Sequence, residues 1–338
     1  MIRFSTRYAA QLALGIAVTA LFVWLIARNV NGAELMAVLR RANPVWIAAA
    51  IGLFLAGYAC RVARWRSMLL RDNPALSWGA CVTPFMGSIA ANNVLPFRAG
   101  DVLRVYGLSG HLEVPKSALL ASLLVERLLD LFSLLVVLAI CLLLFEPIEG
   151  LAGTVAQLGV YGVFALALVI ITLLLFPRVL EWPSVVFLRM MSRILPSFHK
   201  RIGGFFDHLF ETLRHLAQGT RMSVLLLWSV FVWGFEGLVF WASARAIPDI
   251  VEPLVGFLAL PVATLATMLP STPGHIGTFD FFAIKSAEAL GNSAGAATAF
   301  ALLVHLVLWL PATMIGGAGL GLWSIRGRGN FHSKKATI

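Results

Sequence analysis

Charged side chains follow a proline break in an apolar stretch, residues 92–101 (NNVLPFRAGD). Arg98, Asp101 and Arg104 come just after Pro96, and the three-residue spacing of Asp101 and Arg104 places them on one helical face. Gly100 and Asp101 would begin a second half-helix, whose backbone N–H groups and positive dipole end suit a phosphate. We therefore predict a lipid headgroup site. Alternatively, the arginines are interfacial anchors and Asp101 is an N-cap.

Two amide side chains precede this break. Asn92 and Asn93 lie in a stretch of small and apolar residues, where an unpaired amide costs about 1–3 kcal/mol. Both therefore need hydrogen-bonding partners. They either contact a ligand or satisfy the broken backbone at the tip, and the sequence leaves both interpretations open.

A second group of charges lies in the apolar run after Pro115, where Glu126 and Asp130 are one helical turn apart and Arg127 lies between them. A charge at the bilayer centre costs about 2.5–3.5 kcal/mol on insertion scales, so such groups usually face a cavity or each other. We predict an intramembrane role. If the hydrocarbon region begins near Val125, the same charges lie at the inner interface.

A second polar break occurs in residues 269–280 (LPSTPGHIGTFD). The residues expected to break the helix here are Pro270, Pro273, Gly274 and Gly277. The polar residues expected at the tip and on the returning half-helix are Ser271, Thr272, His275, Asp280 and Lys285. His275 is the one group at this tip that could titrate near neutral pH. The alternative role for it is a hydrogen bond to the broken backbone.

Glu236 is the clearest carboxylate inside a single span, in the apolar run 222–244. It pairs with Arg127 or Lys285 in one interpretation, which we favour, and holds a coupling proton in the other.

Composition decides the class of protein that must position these groups. The chain has 338 residues, of which 59% are hydrophobic and 12% are charged, against about half and a quarter in a soluble domain. The net charge of +10 does not indicate nucleic-acid binding, because the basic residues fall between apolar runs, as membrane orientation requires. Cys60, Cys81 and Cys141 have no metal-ligand or redox spacing. We predict no metal site and no cofactor.

The sequence predicts an all-α polytopic membrane protein with about six full spans, at 8–27, 45–60, 118–145, 160–176, 222–244 and 298–324. Both termini are predicted in the cytoplasm. The basic residues Arg61, Arg64, Arg66 and Arg71 mark one inner loop. Residues 1–325 form a single membrane domain, followed by a basic tail at 326–338.

Other loops follow from the same rule. Region 178–221 is strongly basic, and Phe205, Leu209, Leu213 and Leu216 recur there at helical spacing, which predicts an amphipathic helix on the inner leaflet. Asp249 marks an outer loop. Arg41 also falls in a predicted outer loop, against the positive-inside rule.

This topology leaves two stretches, about 77–111 and 253–292, that must begin and end on the same side of the membrane. Both contain Leu-Pro, then glycine, then aspartate near the middle. Broken helices at membrane depth occur where the backbone is buried in protein or lines a polar cavity. We predict two re-entrant helical hairpins that point at each other from opposite faces. Matching interruptions in two halves also indicate an inverted repeat.

The three motifs Asn93–Tyr106 (NVLPFRAGDVLRVY), Val125–Asp130 (VERLLD) and Leu269–Asp280 (LPSTPGHIGTFD) together resemble the lysylphosphatidylglycerol synthase membrane-domain family. Its members look like the flippase half of the bacterial multiple peptide resistance factor. The resemblance implies a standalone membrane domain in the bacterial inner membrane, without the soluble synthase half, and lipid translocation as its function. The family's motif positions fall on Asn93, Pro96, Arg98, Gly100, Arg104, Glu126, Arg127, Asp130, Pro273, Gly274 and Gly277. His275 stands where glycine is common.

Three functions follow from these observations. The first is a lipid flippase, not an enzyme, in which Arg98, Arg104 and Arg127 hold an anionic headgroup and carboxylates balance charge or bind a coupling ion. The second is an intramembrane transferase acting on a lipid-linked sugar or phosphate, with Asp101, Glu126 and Asp130 as metal ligands or base. The third is an accessory subunit of a lipid-modifying enzyme. The expected partners are membrane lipids (an anionic phospholipid, a hopanoid-related lipid or a glycolipid), and a homo-oligomer or a lipid-synthesis enzyme is left open.

Overall fold

The computed structural model describes residues 6–28, 30–144, 151–179, 207–269 and 271–335. The helices are α1 (Thr6–Ala27), α2 (Gly32–Arg40), α3 (Pro44–Leu69), α4 (Trp78–Val94), α5 (Ala99–Val102), α6 (Ser109–Leu112), α7 (Lys116–Leu144), α8 (Leu151–Leu175), α9 (207–216), α10 (Gly219–Ala246), α11 (Val255–Ala266), α12 (Thr278–Ala289) and α13 (Ala294–Lys335). A π-helical turn, Leu103–Gly107, and a 3₁₀ turn, Pro273–His275, interrupt them. The described residues contain no strand, so the all-helical prediction is confirmed.

Four of the described helices are long and apolar enough to cross a membrane: α3, α7, α10 and α13. A fifth span is obtained if α1 and α2, which meet at 83°, count as one bent segment. The chain is therefore a multi-pass helical protein by the length and composition of its helices. The count of six spans and the cytoplasmic termini stay predictions.

Helix α3 is longer than its apolar run. We expected the second span to end at Cys60 and a basic inner loop to follow, but the helix continues to Leu69. Arg61, Arg64 and Arg66 are consequently helical, and Arg64 is 1% exposed. That part of the loop assignment is wrong, because hydropathy marks the end of an apolar run and not the end of a helix.

The chain divides into two compact units, and several helices contribute to both. The first unit contains residues 1–58, 79–104 and 234–338, and the second contains residues 59–78 and 105–233. The prediction of a single membrane domain stays a prediction.

The first broken stretch folds back on itself. Asn73 Nδ2, before α4, donates to the carbonyl of Leu112, after α6, at 2.9 Å. The two ends of the stretch are therefore neighbours. Between them the chain reverses at residues 95–98, and a Cβ atom at Gly100 would lie 1.8 Å from the carbonyl oxygen of Ser88 on α4. Only glycine permits this approach, and the two halves of the stretch therefore pack on each other as a helical hairpin. That this hairpin is re-entrant stays a prediction.

The second broken stretch is a hairpin of the same kind. Its ends are neighbours, since the amide of Val251 donates to Asn292 Oδ1 at 2.9 Å. The break after α11 contains Gly274 and Gly277, with φ of 76° and 81°, a region that glycine adopts without steric cost. Helix α12 then returns along α11. Pro270, a predicted breaking residue, lies outside the described residues.

Both hairpins dock on α13, and their tips meet near its middle. The second hairpin ends beside the start of α13, and its tip reaches His305. The first hairpin packs on the later part, where a Cβ atom at Gly316 would lie 2.1 Å from the carbonyl oxygen of Met86, and its tip residue Asn93 contacts Thr313. The apolar part of α13 runs over Ala294–Ile325, so positions 305–313 are central. The two tips therefore meet on α13. Their entry from opposite faces of a membrane stays a prediction.

Two predicted outer loops meet at one end of the first unit. The guanidinium of Arg41 donates to Asp249 at 2.6 Å, and the amide of Asn43 donates to the carbonyl of Ala246 at 2.8 Å. The ion pair with Asp249 stabilises Arg41 in a predicted outer loop, although the positive-inside rule favours arginine in inner loops.

The basic region 178–221 differs from the expectation where it is described. Leu209, Leu213 and Leu216 on α9 are buried inside the second unit. This apolar face packs on protein and not on the inner leaflet, because the unit offers it a matching surface. Phe205 lies outside the described residues.

The contact between α4 and α13 can be tested at two adjacent glycines. A methyl group at Gly316 meets the backbone of Met86, whereas a Cβ atom at Gly317 has no atom within 4 Å. We expect Gly316→Ala to lower the free energy of unfolding by about 1–3 kcal/mol, the usual cost of overpacking. Gly317→Ala should leave it unchanged or raise it slightly. Thermal unfolding of both variants in one detergent checks this, and equal melting temperatures would contradict the close approach.

Candidate functional site

The contact between the two tips is polar. Asn93 Nδ2 donates to Thr313 Oγ1 at 2.9 Å, and Thr313 in turn donates to the carbonyl of Trp309 at 2.6 Å. A Cβ atom at Gly274 would lie 2.9 Å from Trp309 Nε1 and 3.4 Å from the carbonyl oxygen of Asn93. Thus one residue from each hairpin and two from α13 share a small space. Asn93, Gly274, Trp309 and Thr313 form this contact. Three neighbouring residues, His275, Asp280 and His305, are described below.

His305 joins α13 to the second hairpin by two hydrogen bonds. Its Nδ1 lies 2.7 Å from Asp280 Oδ1, and its Nε2 lies 2.9 Å from the carbonyl oxygen of Gly274. Asp280 also accepts a hydrogen bond from the amide of Gly277 at 2.9 Å through Oδ2. This carboxylate therefore caps the start of α12 and orients the imidazole. Phe279 covers the ring, with centroids 5.0 Å apart.

Asn92 satisfies the backbone of the first tip. Its Oδ1 accepts from the amides of Gly100 at 2.8 Å and Asp101 at 3.3 Å, and its Nδ2 donates to Asp101 Oδ1 at 2.9 Å. These amides are consequently engaged, and the prediction of free N–H groups for a phosphate is wrong. Of the two interpretations of Asn92, the structure supports the one in which it repairs the broken backbone.

The two arginines of the first hairpin differ in accessibility. Arg104 is buried, its guanidinium lies 5.0 Å from the ring of Phe85, and it is 3.9 Å from Asp101 on the predicted common face. It is placed to stabilise the hairpin. Arg98 is exposed and has a φ of 51°, a left-handed conformation that is uncommon outside glycine. Arg98 is therefore accessible from outside the hairpin, whereas Arg104 is not.

The second tip also contacts α1. Thr272 and Thr19 hydroxyls are 3.0 Å apart, and the amide of Thr272 donates to Thr19 Oγ1 at 3.1 Å. Ser271 Oγ lies 3.2 Å from Nδ1 of His275, which is another residue with positive φ, at 57°. The hydroxyls of this tip are thus used to hold it in place.

The second unit contains a separate buried charge cluster. Asp130 Oδ1 accepts from the guanidinium of Arg64 at 2.7 Å, and Arg61 lies 3.7 Å from Oδ2. Arg64 also donates to Ser229 Oγ at 2.9 Å, and Arg61 stacks on Trp233 at 4.9 Å. Asp130 therefore acts as the counter-ion of two arginines from α3.

The remaining predicted residues are distributed between the units. Glu126 is buried on the same face of α7 as Asp130, as its spacing predicts, and Arg127 is partly buried. Glu236 is partly buried on α10. Lys285 donates to Glu288 at 2.5 Å instead of pairing with Glu236.

A cavity of about 350 Å³ opens in the second unit, between the end of α3 and the start of α10. Its polar lining includes Ser67, Arg71, His215, Thr220 and Arg221. A hydrogen bond from Arg71, and then its charge, lower the pKa of Glu211 beside it. Burial, and then the charge of Arg221, lower the pKa of His215, so His215 tends to be neutral and can accept the 2.7 Å hydrogen bond from Arg221. This cluster fastens α9 to the end of α3.

The family model described as the lysylphosphatidylglycerol synthase TM region matches residues 12–316. The chain belongs to this family. Its predicted hairpins and their motifs all lie within the matched residues.

Two named proteins are similar to most of this chain. Glycosyltransferase AglD of Haloferax volcanii is 25% identical over 334 residues, which cover 90% of this chain and 53% of that protein. A UPF0104 membrane protein of Methanocaldococcus jannaschii is 22% identical over 314 residues, covering 88% of this chain and 91% of that protein. The chain thus spans about half the length of AglD. No solved structure matches it. Membership of a membrane-protein family is shown, and location in a bacterial inner membrane stays a prediction.

Sequence reasoning missed several residues of these clusters. His305, Trp309 and Thr313 recur every four residues, which places them on one face of α13. His305 is an ionisable residue inside an apolar span, a signal that could have identified it. Arg61 and Arg64 were interpreted as markers of topology, although their three-residue spacing on a continued helix would have suggested a common partner.

The Asp130 cluster predicts a large effect of removing the carboxylate that binds Arg64. Asp130→Asn leaves the buried Arg64 charge without compensation, which costs about 3–5 kcal/mol of unfolding free energy when one partner of a buried pair is removed. The exposed Asp207→Asn is the matched control, with an expected change within about 0.5 kcal/mol. Chemical or thermal unfolding in detergent measures both.

The pairing itself is tested by a double variant. Adding Arg64→Met to Asp130→Asn should cost little more than the single change, because the uncompensated charge is then gone. Additive losses would show that the two side chains do not depend on each other.

Proposed function

We propose that this protein moves the polar headgroup of a lipid across the cytoplasmic membrane, with the acyl chains remaining in the bilayer. The proposal takes the two hairpins as re-entrant from opposite faces and the protein as a transporter of the membrane-domain family. Its substrate would carry an anionic, phosphate-bearing headgroup, in an anionic phospholipid, a hopanoid-related lipid or a glycolipid.

One observation supports this proposal above the others. The two tips meet at positions 305–313 of α13, in the middle of an apolar stretch long enough to span a bilayer. Broken backbone and polar side chains at this depth are expected where they line a polar path. Binding sites at the meeting point of two interrupted helices are typical of transporters.

Several charged side chains also fit a transporter. Arg98 is exposed beside the break of the first hairpin, so its guanidinium can contact a passing phosphate. Asp101 and Asp130 each have an arginine neighbour, at 3.9 and 2.7 Å. Carboxylates held in this way serve as counter-ions, which is a simpler role for them than general base.

A second candidate function is a transferase that acts on a lipid-linked sugar. The name of the archaeal relative favours it, since that protein is called a glycosyltransferase. Nearly half of that protein lies outside the match, however, and its name does not locate the activity in the shared part. Turnover of a labelled lipid-linked sugar by the purified chain, lost on chelation of divalent metal, would favour this function over transport.

Transport is tested with the purified protein in liposomes that contain a fluorescent anionic phospholipid. Wild-type protein should expose inner-leaflet label to a membrane-impermeant quencher. We expect the double variant Arg98→Ala and Arg127→Ala to lower the transfer rate about ten- to a hundredfold, because hydrogen bonds to charged groups contribute about 1.5–3 kcal/mol.

The control is Arg40→Ala, which removes an exposed arginine from α2. It should transfer lipid at the wild-type rate. All proteins must be folded and equally reconstituted. Wild-type transfer by the double variant would then show that Arg98 and Arg127 do not bind the headgroup during transfer.

A further inference from the structure

The hydrogen bonds of His305 fix how many protons it shares with Asp280. The carbonyl oxygen of Gly274 can only accept, so Nε2 at 2.9 Å must carry a hydrogen. A second hydrogen must lie between Nδ1 and Asp280 Oδ1, because two lone pairs at 2.7 Å would repel each other. The pair thus holds one proton more than a neutral imidazole beside a carboxylate would hold.

The surroundings of Asp280 favour placing that proton on the ring. Oδ2 accepts from the amide of Gly277 at 2.9 Å, and Asp280 lies in the first turn of α12, where the helix dipole stabilises negative charge. Asp280 is 4% exposed. The arrangement is therefore an imidazolium next to a carboxylate, with no net charge in the apolar part of the first unit.

The other charged groups near this pair come from each packed element. The second hairpin contributes His275, and Arg98 of the first hairpin and His305 both act electrostatically on that ring. Glu34 of α2 lies farther away, beside Gly295, ten residues before His305 on α13. Helix α10 presents Phe240 to Phe279 at 6.0 Å, and its carboxylate Glu236 lies one turn earlier.

Loss of the extra proton would change the contact between the tips. The Nδ1 lone pair would then face the carboxylate of Asp280 at hydrogen-bonding distance, and the buried carboxylate would lose its counter-ion. His305 is also the side chain that holds Gly274, and the Gly274 position lies against Asn93 and Trp309. Deprotonation at Nδ1 removes the hydrogen bond between His305 and Asp280 and sets a lone pair against the carboxylate, while Nε2 still donates to Gly274. It therefore weakens the hold of α13 on the second hairpin at one of its two hydrogen bonds.

We propose that His305 and Asp280 form a proton-binding site that couples the movement of the second hairpin, and with it headgroup transfer, to the proton gradient. This inference rests on the proposed transport function. With the proton bound, α13 holds the second tip against the first. When Nδ1 releases the proton to water, the tip separates from α13 and the headgroup can pass. The step breaks one N–H bond and forms hydronium, and rebinding from the opposite side reverses it.

The first test measures the protonation state directly and does not require transport. Protein labelled with ¹⁵N-histidine is titrated by NMR, and the His305 signals are identified by their absence in His305→Gln. Both ring nitrogens of His305 should be protonated at pH 7, as its two hydrogen bonds require. A His305 ring with one protonated nitrogen at pH 7 would overturn the site.

The second test imposes a pH gradient on liposomes that contain the labelled anionic phospholipid. With one proton per lipid, a gradient of one pH unit should drive a leaflet ratio of up to about tenfold. His305→Gln should still equilibrate lipid but give a ratio of one, while His111→Gln should behave as wild type.

The outcomes separate the two proposals. Wild-type protein that equilibrates lipid but builds no ratio would overturn proton coupling and leave the transport function intact. An equal ratio in wild type and His305→Gln would place the coupling elsewhere. If no protein transfers lipid, the transport function fails, coupling fails with it, and the NMR titration alone decides whether the proton site exists.

Discussion

The organisation of the first unit depends on one constraint: a broken helix in an apolar environment must find partners for its freed backbone and polar side chains. Helix α13 supplies them for both breaks. His305 bonds the carbonyl of Gly274, and the side chain of Asn93 reaches Thr313. Within the first tip Asn92 bonds the amides of Gly100 and Asp101. Without these contacts neither interruption could persist at this depth.

Close approach of backbones makes this arrangement possible. Gly316 lets α4 pack on α13, and Gly100 lets the returning half of the first hairpin pack on α4. Small residues at helix interfaces serve this purpose in membrane proteins, where packing and interhelical hydrogen bonds replace the hydrophobic effect. The second unit uses a different device, since a buried carboxylate on α7 holds two arginines of α3. The family match covers residues from both units.

Much of the fold could be predicted because membrane topology is a strict constraint. The two hairpins are predicted by the basic loops and the matching breaks at Pro96 and Gly274. In the structure both breaks lie against α13, while re-entry from opposite faces stays a prediction. The helix on which they dock could not be predicted. An ionisable residue in an apolar run marks His305 as a candidate, but helical periodicity does not specify its partner. The end of α3 was placed too early because hydropathy falls at Arg61 while the helix continues.

The free amides expected at Gly100 were already bonded by Asn92, which only the folded hairpin shows. The predicted roles of Arg98, Glu126, Arg127 and Glu236 depend on a lipid and stay predictions.

The central claim is that the meeting tips line a polar path and do not lie against lipid. Ile276 at the second tip and Leu306 on α13 lie within two residues of the hydrogen bond between Gly274 and His305, so they stand at a similar depth along α13. They are also similarly exposed, at 50% and 52%. In a variant in which Cys60, Cys81 and Cys141 are replaced, Ile276→Cys and Leu306→Cys can be treated with a membrane-impermeant thiol reagent in sealed vesicles. The account predicts that position 276 reacts and that position 306 does not, because thiolates form in water and not in hydrocarbon. Equal resistance of both positions, from either side of the vesicle, would contradict it.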